Sequence, residues 1–355
     1  MSGLWSLLLP FSVLYGWGMM VRNKLYDWGM LQAESFDLPV ICIGNLSVGG
    51  TGKTPHVEYL INLYGKKYKI AILSRGYKRK TKGFHLASDE ESVDTLGDEP
   101  LQYHTKFKNT IVAVDEDRRN GIHQLLRLHP DLDVIILDDA FQHRAVKAGI
   151  NILLSDYHKP FFEDWILPAG RLRESRKGAE RADLIVVTKT PKIFSPITKR
   201  TYKEQINPRP DQPLFFSYLC FGEPVAMNAS ARLFKRKNFD GILMLTGIAN
   251  PLPLENYLQN QCQELSTLIF PDHHQYTSAD MAKLRESFNK VFSGNKAIMT
   301  TEKDAMRLRD PELAKDLIDL PIYYIPVEVE FHPVDKELFD RRMMEFVGKR
   351  LAVRR

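Results

Sequence analysis

"ICIGNLSVGGTGKTPHVEYL", residues 41–60, decides how the rest of the chain is read. It begins as a short apolar run of strand type, passes through Gly49, Gly50 and Gly52, and enters a helical pattern at Lys53-Thr54. Strand, glycine-rich turn and helix N-terminus in that order make a cradle for a phosphate. Glycine accepts the φ values that turn backbone N–H groups inward, and the helix end adds partial positive charge. In the pattern G-x-x-x-x-G-K-[ST] the lysine reaches the β- and γ-phosphates and the hydroxyl holds Mg²⁺. That assigns those roles to Lys53 and Thr54, and the cradle to Ser47, Val48, Gly49, Gly50, Thr51 and Gly52. Ser47 stands where the pattern has its first glycine, and Pro55 falls in the first helical turn, where proline is tolerated.

Such a loop needs an acidic partner for the metal shell. "DVIILDDAFQHR" (133–144) supplies an apolar strand ending in Asp138-Asp139, and a carboxylate at the C-terminal end of a parallel strand faces the same crevice as the loop. Two aspartates can also cap a following helix, but beside a phosphate loop the metal role is favoured. Outward from these two stretches, "KIAILS", "NTIVAV", "INILLS" and "DLIVVT" alternate with helical segments, which predicts a parallel sheet covered on both faces by helical crossovers. A Pro- and Lys-rich stretch (188–213) closes this block. A smaller one follows, with strands "PLFFSYL", "GILMLTG", "STLIF", "KAIMT" and "PIYYIPVEV". "LFFSYL" and "IYYIPVEV" enter and leave it and are suited to pair as a two-stranded connector. The expected divisions are an N-terminal helix over 1–30, a core over 31–210, a smaller α/β domain over 211–330, and a C-terminal helix over 331–355 that returns to the core.

The 355 residues suit two domains, and their apolar and charged fractions are ordinary for a folded chain. Cys42, Cys220 and Cys262 match no metal or redox spacing and are expected as reduced thiols. A net charge of +5 suits an acidic ligand or an anionic membrane surface, and is too dispersed for nucleic acid. "MSGLWSLLLPFSVLYGWGMMV" has no charge before Arg22 and lacks a signal peptide's basic start and cleavage site. If Pro10 opens a helix, Phe11, Leu14, Gly18, Val21, Leu25 and Trp28 share one face. A helix lying in the membrane interface is favoured; a spanning helix and a core helix are the alternatives.

Two further stretches bear on the acceptor, each alone readable as a solvated turn, and a third, "TTEKDAMRLR", reads either as a substrate or nucleotide loop or as a capped helix. "LGDEP" places Asp98 and Glu99 in a Gly/Pro turn, and "IFPDHHQYT" places Asp272, His273 and His274 after a strand. Adjacent histidines diverge, so zinc is discounted. In "TTEKDAMRLR" the threonines are expected to cap a helix whose Ala305, Met306 and Leu308 face inward, with the lysine unassigned.

"GNLSVGGTGKTP", "SRGY", "GDEP", "LDDAFQHR", "LPAGRLRE", "ADLIVVTK", "LTGIANP", "FPDHH" and "TEKDAMRLR" occur in that order. The combination resembles the tetraacyldisaccharide 4′-kinase family of lipid A biosynthesis, from the apolar N-terminus to about residue 310. The resemblance implies a P-loop core of α/β class, with a mostly parallel sheet covered by helices, and a smaller C-terminal α/β domain joined by a two-stranded linker. It implies ATP and Mg²⁺ as cofactors, and a glycolipid acceptor, tetraacylated glucosamine disaccharide 1-phosphate, taken to lipid IVA at the cytoplasmic face of the inner membrane. By the same resemblance Lys53 and Thr54 match the nucleotide loop, Asp138 and Asp139 the metal-binding strand end, Asp98 the general base, and a histidine of "FPDHH" its partner, His273 before His274. Candidate acceptor contacts are Glu99, Arg75, Arg119, Gln142, His143, Arg171, Arg173 and His274, with Arg118 beside Arg119. The aromatic run "YHKPFFEDW" is suited to acyl chains, although "FFEDW" and Arg171 depart from the family's more usual Gly- and Pro-bearing version. No nucleic acid and no obligate protein partner are expected, the membrane surface being the partner of the N-terminal segment.

A regulatory P-loop ATPase or GTPase at the membrane fits the glycine loop equally well. The lysine that marks the partitioning subclass is missing, because Val48 occupies its place, and a guanine-reading N-K-x-D is absent. "VTKT" has Thr190 where that motif wants its Asp. A cytosolic small-molecule kinase leaves the apolar N-terminus without a purpose.

Overall fold

The computed structural model describes residues 4–233 and 238–354. Its strands, in chain order, are β1 Val40–Asn45, β2 Ile70–Ser74, β3 His85–Leu86, β4 Ile111–Val114, β5 Val134–Asp138, β6 Ile150–Asp156, β7 Leu184–Thr188, β8 Leu214–Phe221, β9 Val225–Ala226, β10 Gly241–Thr246, β11 Glu264–Ile269, β12 Lys296–Thr301, β13 Ile322–Ile325 and β14 Val327–Phe331. Two compact units result: Met1–Asp89, Tyr103–Leu219 and Val329–Arg355 form the first, Glu90–Gln102 and Cys220–Glu328 the second. The segment Glu90–Gln102 thus groups with the smaller unit although it lies inside the stretch 31–210 expected as core. Its carboxylates are paired there with basic side chains of the helix Glu302–Arg307.

The first unit is built on a nine-stranded sheet ordered β14-β8-β7-β6-β1-β5-β2-β4-β3. The pairs β4–β2, β2–β5, β5–β1, β1–β6, β6–β7 and β7–β8 are all parallel. β1, β2, β5 and β7 are buried at every position, as near-continuous apolar runs require when both faces are covered. On one face Val57, Leu60 and Tyr64 of the helix Lys53–Tyr64 pack with Phe339, Met343, Val347 and Leu351 of the helix Pro333–Arg354. On the other, Ile122 and Leu125 of the helix Arg118–Leu128 join Phe141 and Leu172.

Helical crossovers after β5 and β6 are not what the chain forms. Turns follow β5, and only the 3₁₀ segments Phe161–Glu163 and Arg176–Arg181 lie between β6 and β7. The reason is local. "AFQHRAVKAG" and "HKPFFEDWILPAGRLRES" lack a sustained 3.6-residue apolar period, and they brace the end of β1 and the glycine loop instead, through the Gln142 side chain and the backbone of residues 171–173. Asp138-Asp139 therefore cap no helix.

The second unit holds a five-stranded sheet ordered β11-β10-β12-β13-β9, parallel except for β9. Pro326 separates β13, in this sheet, from β14, which lies beside β8 at the edge of the larger one. The connector expected from "LFFSYL" and "IYYIPVEV" is therefore the β8–β14 pair, with "IYYI" belonging to the small sheet; proline cannot donate to a ladder, and the strand divides there.

The N-terminal helix runs Leu4–Asp27 with Pro10 inside it, not at its start, residues 1–3 lying outside the described residues. Losing one N–H costs a single intrahelical bond, and the turns on either side continue. No described helix is long and apolar enough to cross a membrane. The helix is turned inside out relative to a core helix. Its small and polar positions face the first unit: Ser12 Oγ accepts from Ala169 N at 2.9 Å, Gly16 lies close under Ile166, Asn23 Nδ2 donates to Glu174 Oε2 at 2.8 Å, and Arg22 donates to Gln142 O at 3.2 Å. Phe11, Val13, Leu14, Trp17 and Met20 are exposed on the opposite side, as are Trp28 and Met30 just beyond. The helix Pro333–Arg354, by contrast, sinks Phe339, Met343, Val347 and Leu351 into the core.

Candidate active site

The glycine loop leaves the end of β1, which lies between β5 and β6, where sequential strands diverge to opposite sides. That is the crevice position of an open parallel sheet. Gly49 and Gly52 adopt positive φ (109° and 84°), so the loop needs glycine there, and Gly52 is the left-handed residue from which the helix Lys53–Tyr64 departs. Gly44 is required for a different reason: a Cβ there would stand 2.6 Å from that of Phe141, where the chain passes after β5. Ser47 is buried, lies outside the positive-φ set, and bridges Leu172 across an antiparallel contact. Its side chain is tolerated because this stretch of the loop is extended. Val48 N donates to Arg171 O and Arg173 N to Leu46 O, both at 2.7 Å, so "LPAGRLRE" straps the first half of the loop.

The second half is held from β7 and from its own helix. Thr188 Oγ1 donates to Thr51 O at 2.8 Å, and Lys189 Nζ donates to Gly50 O and to Asp156 Oδ2. His56 Nδ1 lies 2.7 Å from Gly52 O and Nε2 3.0 Å from Ser217 Oγ. Burial pushes the His56 pKa down to about 4, so the ring is neutral at pH 7, donating at Nδ1 and accepting at Nε2. Val48 N is spent on Arg171 O and Thr51 N on Gly49 O at 3.0 Å, so an anion would be served by the remaining N–H groups of the loop and by the start of the helix.

Lys53 Nζ stands 3.7 Å from Asp139 Oδ2, and Arg173 grips Asp139 with two nitrogens at 2.9 and 3.1 Å. Burial works against a charge on Asp139, but Lys53 and Arg173 outweigh it and hold the carboxyl below its ordinary range. Asp138, fully buried, takes hydrogen bonds from Ser74 Oγ at 3.3 Å and Tyr103 Oη at 3.4 Å, both neutral donors. Gln142 joins the same network, donating to Asn45 O and Glu174 and accepting from Arg173.

In the second unit the carboxylate of Asp98 is the centre. It is not in a turn: Asp98 and Glu99 open the helix Asp98–Lys106, because Pro100 is pre-set for a first helical turn and the helix end favours negative charge. Its Oδ2 receives Arg307 Nε at 3.1 Å, Arg307 Nη2, and His273 Nδ1 at 3.0 Å. Glu99 pairs with Lys303 Nζ at 2.6 Å. His274 turns away to Asp280 at 3.0 Å and stacks on Phe270. Burial opposes ionisation of Asp98, and the bonds from His273 and Arg307 overcome it, holding the carboxyl well below the usual carboxylate range.

The family model for "Tetraacyldisaccharide-1-P 4'-kinase" matches residues 4–346. The chain belongs to the tetraacyldisaccharide-1-P 4′-kinase family. It is 47% identical to the tetraacyldisaccharide 4′-kinase of Phocaeicola vulgatus over 347 residues, covering 96% of this chain and 95% of that one. It is 44% identical to that of Flavobacterium johnsoniae, covering 99% of each. The crystal structure of the "apo" form of LpxK from Aquifex aeolicus in complex with ATP shares 30% identity and superposes with a TM-score of 0.73, covering 97% of this chain and 99% of that one.

In this kinase-family chain the other residues expected at the acceptor fall as follows. Arg75 is exposed after β2. Arg118 is buried, its guanidinium turned to the carbonyls of Asp115 and Glu116 at 3.1 and 3.2 Å. Arg119 pairs with Asp117 of its own turn at 3.4 Å, and Arg171 with Asp164 at 2.9 Å. His143 Nε2 accepts from Arg118 N at 3.3 Å, and burial lowers its pKa to about 4. Lys189, Arg307 and the threonine-strapped Asp304 were not expected as site residues. The only sign of Lys189 in the sequence was the "VTKT" fragment, and Arg307 lay unmarked in "TEKDAMRLR". Thr301 does cap its helix, accepting from Asp304 N at 3.1 Å, and Ala305, Met306 and Leu308 are buried.

Proposed function

We propose that this chain uses ATP and Mg²⁺ to phosphorylate the 4′-hydroxyl of tetraacyldisaccharide 1-phosphate, forming lipid IVA. The observation that carries the reading is the glycine loop with Lys53 set against Asp139 at the end of the neighbouring strand, in a chain of the tetraacyldisaccharide-1-P 4′-kinase family.

The residues suit a divalent ion. Among the described residues, buried side-chain atoms of Asn45 and Thr51 at the end of β1 and in the loop have no hydrogen-bond partner, leaving polar capacity for phosphate oxygens or hydrating water. Among the described residues no three acidic, His or Cys side chains gather, which suits Mg²⁺, an ion that keeps water and phosphate in its shell. Thr54 and Asp138 are the proposed holders; Asp139, engaged by two cations, aims Lys53 and Arg173. The bound ion neutralises charge on the phosphates.

The protein's own groups do the rest. The loop's N–H groups and Lys53 hold the β- and γ-phosphates. The acceptor oxygen forms a bond to the γ-phosphorus as the bond to the β–γ bridging oxygen breaks, and ADP leaves with that electron pair. The hydroxyl proton passes to Asp98, which His273 orients. Because the transition state is loose, charge stabilisation outweighs base strength. A carboxylate held below its ordinary range is ionised at neutral pH and so is available to accept the proton. The exposed apolar side of the helix Leu4–Asp27 is proposed to lie in the cytoplasmic surface of the inner membrane, peripheral or monotopic, with Trp17 and Trp28 at headgroup depth beside the acyl chains of the acceptor.

Incubation with γ-labelled ATP and the lipid acceptor in detergent tests the reading. Label in the lipid is the expected result. Release of inorganic phosphate without transfer assigns the chain to the ATPase class instead.

A further inference from the structure

We propose that Arg307 is a positioning residue for the transfer: together with His273 it occupies one oxygen of Asp98 and leaves the other to receive the acceptor's proton. This rests on Asp98 being the base. The recorded bonds to the carboxylate all end on Oδ2: two from Arg307 and one from His273. None ends on Oδ1. An acceptor-only carboxylate fixes the hydrogen of His273 on Nδ1, so Arg307 Nη2, 3.2 Å from that nitrogen, directs its own hydrogens to Asp98.

Arg307 is itself held rigidly. Its Nη1 donates to Gly247 O at 3.1 Å and to Asp304 Oδ1 at 3.0 Å. Asp304 is fully buried and accepts from Thr246 Oγ1, Gly247 N, Tyr276 Oη and Thr301 Oγ1, at 2.8 to 3.2 Å. The end of β10 therefore fixes Asp304, Asp304 fixes the guanidinium, and the guanidinium fixes the plane of the Asp98 carboxylate. A planar fork with several donors can do this, and a lysine ammonium cannot.

The charges around Asp98 are Arg307 and His273 in direct contact, Lys303 beside it neutralised by Glu99, Asp272 4.0 Å beyond His273, and Asp304 with Tyr276 behind Arg307. Arg307 brings a permanent charge to that oxygen and favours the ionised form of Asp98.

The test is the pH profile of kcat/KM for the lipid acceptor, from about pH 5 to 9, in the full chain and in Arg307→Gln and Arg307→Lys, with thermal melting and ATP affinity measured alongside. In Arg307→Gln burial of Asp98 is opposed by His273 alone, so the carboxyl's pKa rises and the acid limb moves upward: relative to the unsubstituted chain kcat/KM is lowest at the acid end of the profile and recovers towards pH 9, about tenfold of rate below the limb for each pH unit it moves. In Arg307→Lys the charge remains and the fork is lost, so kcat drops about tenfold without movement of the limb. A Gln variant whose profile runs parallel to the unsubstituted chain overturns the proposal. If that variant does not fold, a Lys variant with unchanged kcat overturns it. Asp98→Asn separates the two readings: undiminished activity there removes the base itself, whereas a dead Asp98→Asn with a parallel Arg307→Gln profile removes only the role of Arg307.

Discussion

Asp139 and Asp98 are both carboxylates gripped by an arginine and a second nitrogen base, one in each unit, yet the grips differ in kind. Arg173 takes both oxygens of Asp139, and Lys53 stands at 3.7 Å, a distance that leaves its ammonium available to another anion. At Asp98 the bonds converge on a single oxygen. On the proposed mechanism the first arrangement would hold two cations for the phosphate, and the second would leave an oxygen for the acceptor's proton. A carboxylate's role is read from which of its oxygens are occupied as much as from its neighbours' charge.

The largest effect expected from this contrast is at Lys53. Lys53→Ala should lower kcat by roughly 10³-fold or more, and Asp98→Asn by about 10²-fold, because charge on the migrating phosphoryl group matters more than proton removal in a loose transition state. Single-turnover rates at saturating ATP compare them; equal defects would break the contrast. Next, Asp138→Asn should raise the Mg²⁺ concentration needed for half-maximal rate by about tenfold, and Asp139→Asn should shift it far less while lowering kcat, since Asp139 is spent on Lys53 and Arg173. A Mg²⁺ titration that ranks the two the other way assigns the ion to Asp139.

A smaller effect concerns the loop's clamp. The folded pKa of His56 lies near 4, below the unfolded value near 6.5, so its contribution to stability is complete above about pH 6.5 and is lost as pH falls through 4. The difference is worth about 3 kcal/mol at most. Urea unfolding of His56→Gln should lose less stability between pH 6.5 and 4 than the unsubstituted chain; identical slopes would place the acid sensitivity elsewhere. The smallest effect on turnover should come from the outer side of the first helix. Replacing Phe11, Leu14 and Trp17 by serine removes about 1.5–3 kcal/mol of burial each and should abolish cosedimentation with anionic vesicles, while ATP affinity stays within about twofold.

The glycine loop and the strand ending at Asp138 were legible because each is written in consecutive residues, and apolar runs marked most of the strands. What the sequence hid was assembled across distance. Arg307 reaches Asp98 from 209 residues away, and Glu90–Gln102 falls in the smaller unit, where Asp98, Glu99 and Gln102 bond to Arg307, Lys303 and Glu302. "LPAGRLRE" carries no helix or strand period, so nothing local showed that its backbone straps residues 46–48. Pro10 misled for the opposite reason: a strong local signal for a helix start was overridden by turns on both sides that continue the helix.

The helix Leu4–Asp27 meets the rest of the first unit through Asn23 on Glu174 and Arg22 on Gln142, and those two residues bond to each other and to the strand that feeds the phosphate loop. The helix with the exposed apolar side is thus part of the packing behind the glycine loop, not an appendage to it. Trimming it to gain solubility would take away part of that packing, and a shortened chain that dissolves well would be expected to hold its nucleotide badly.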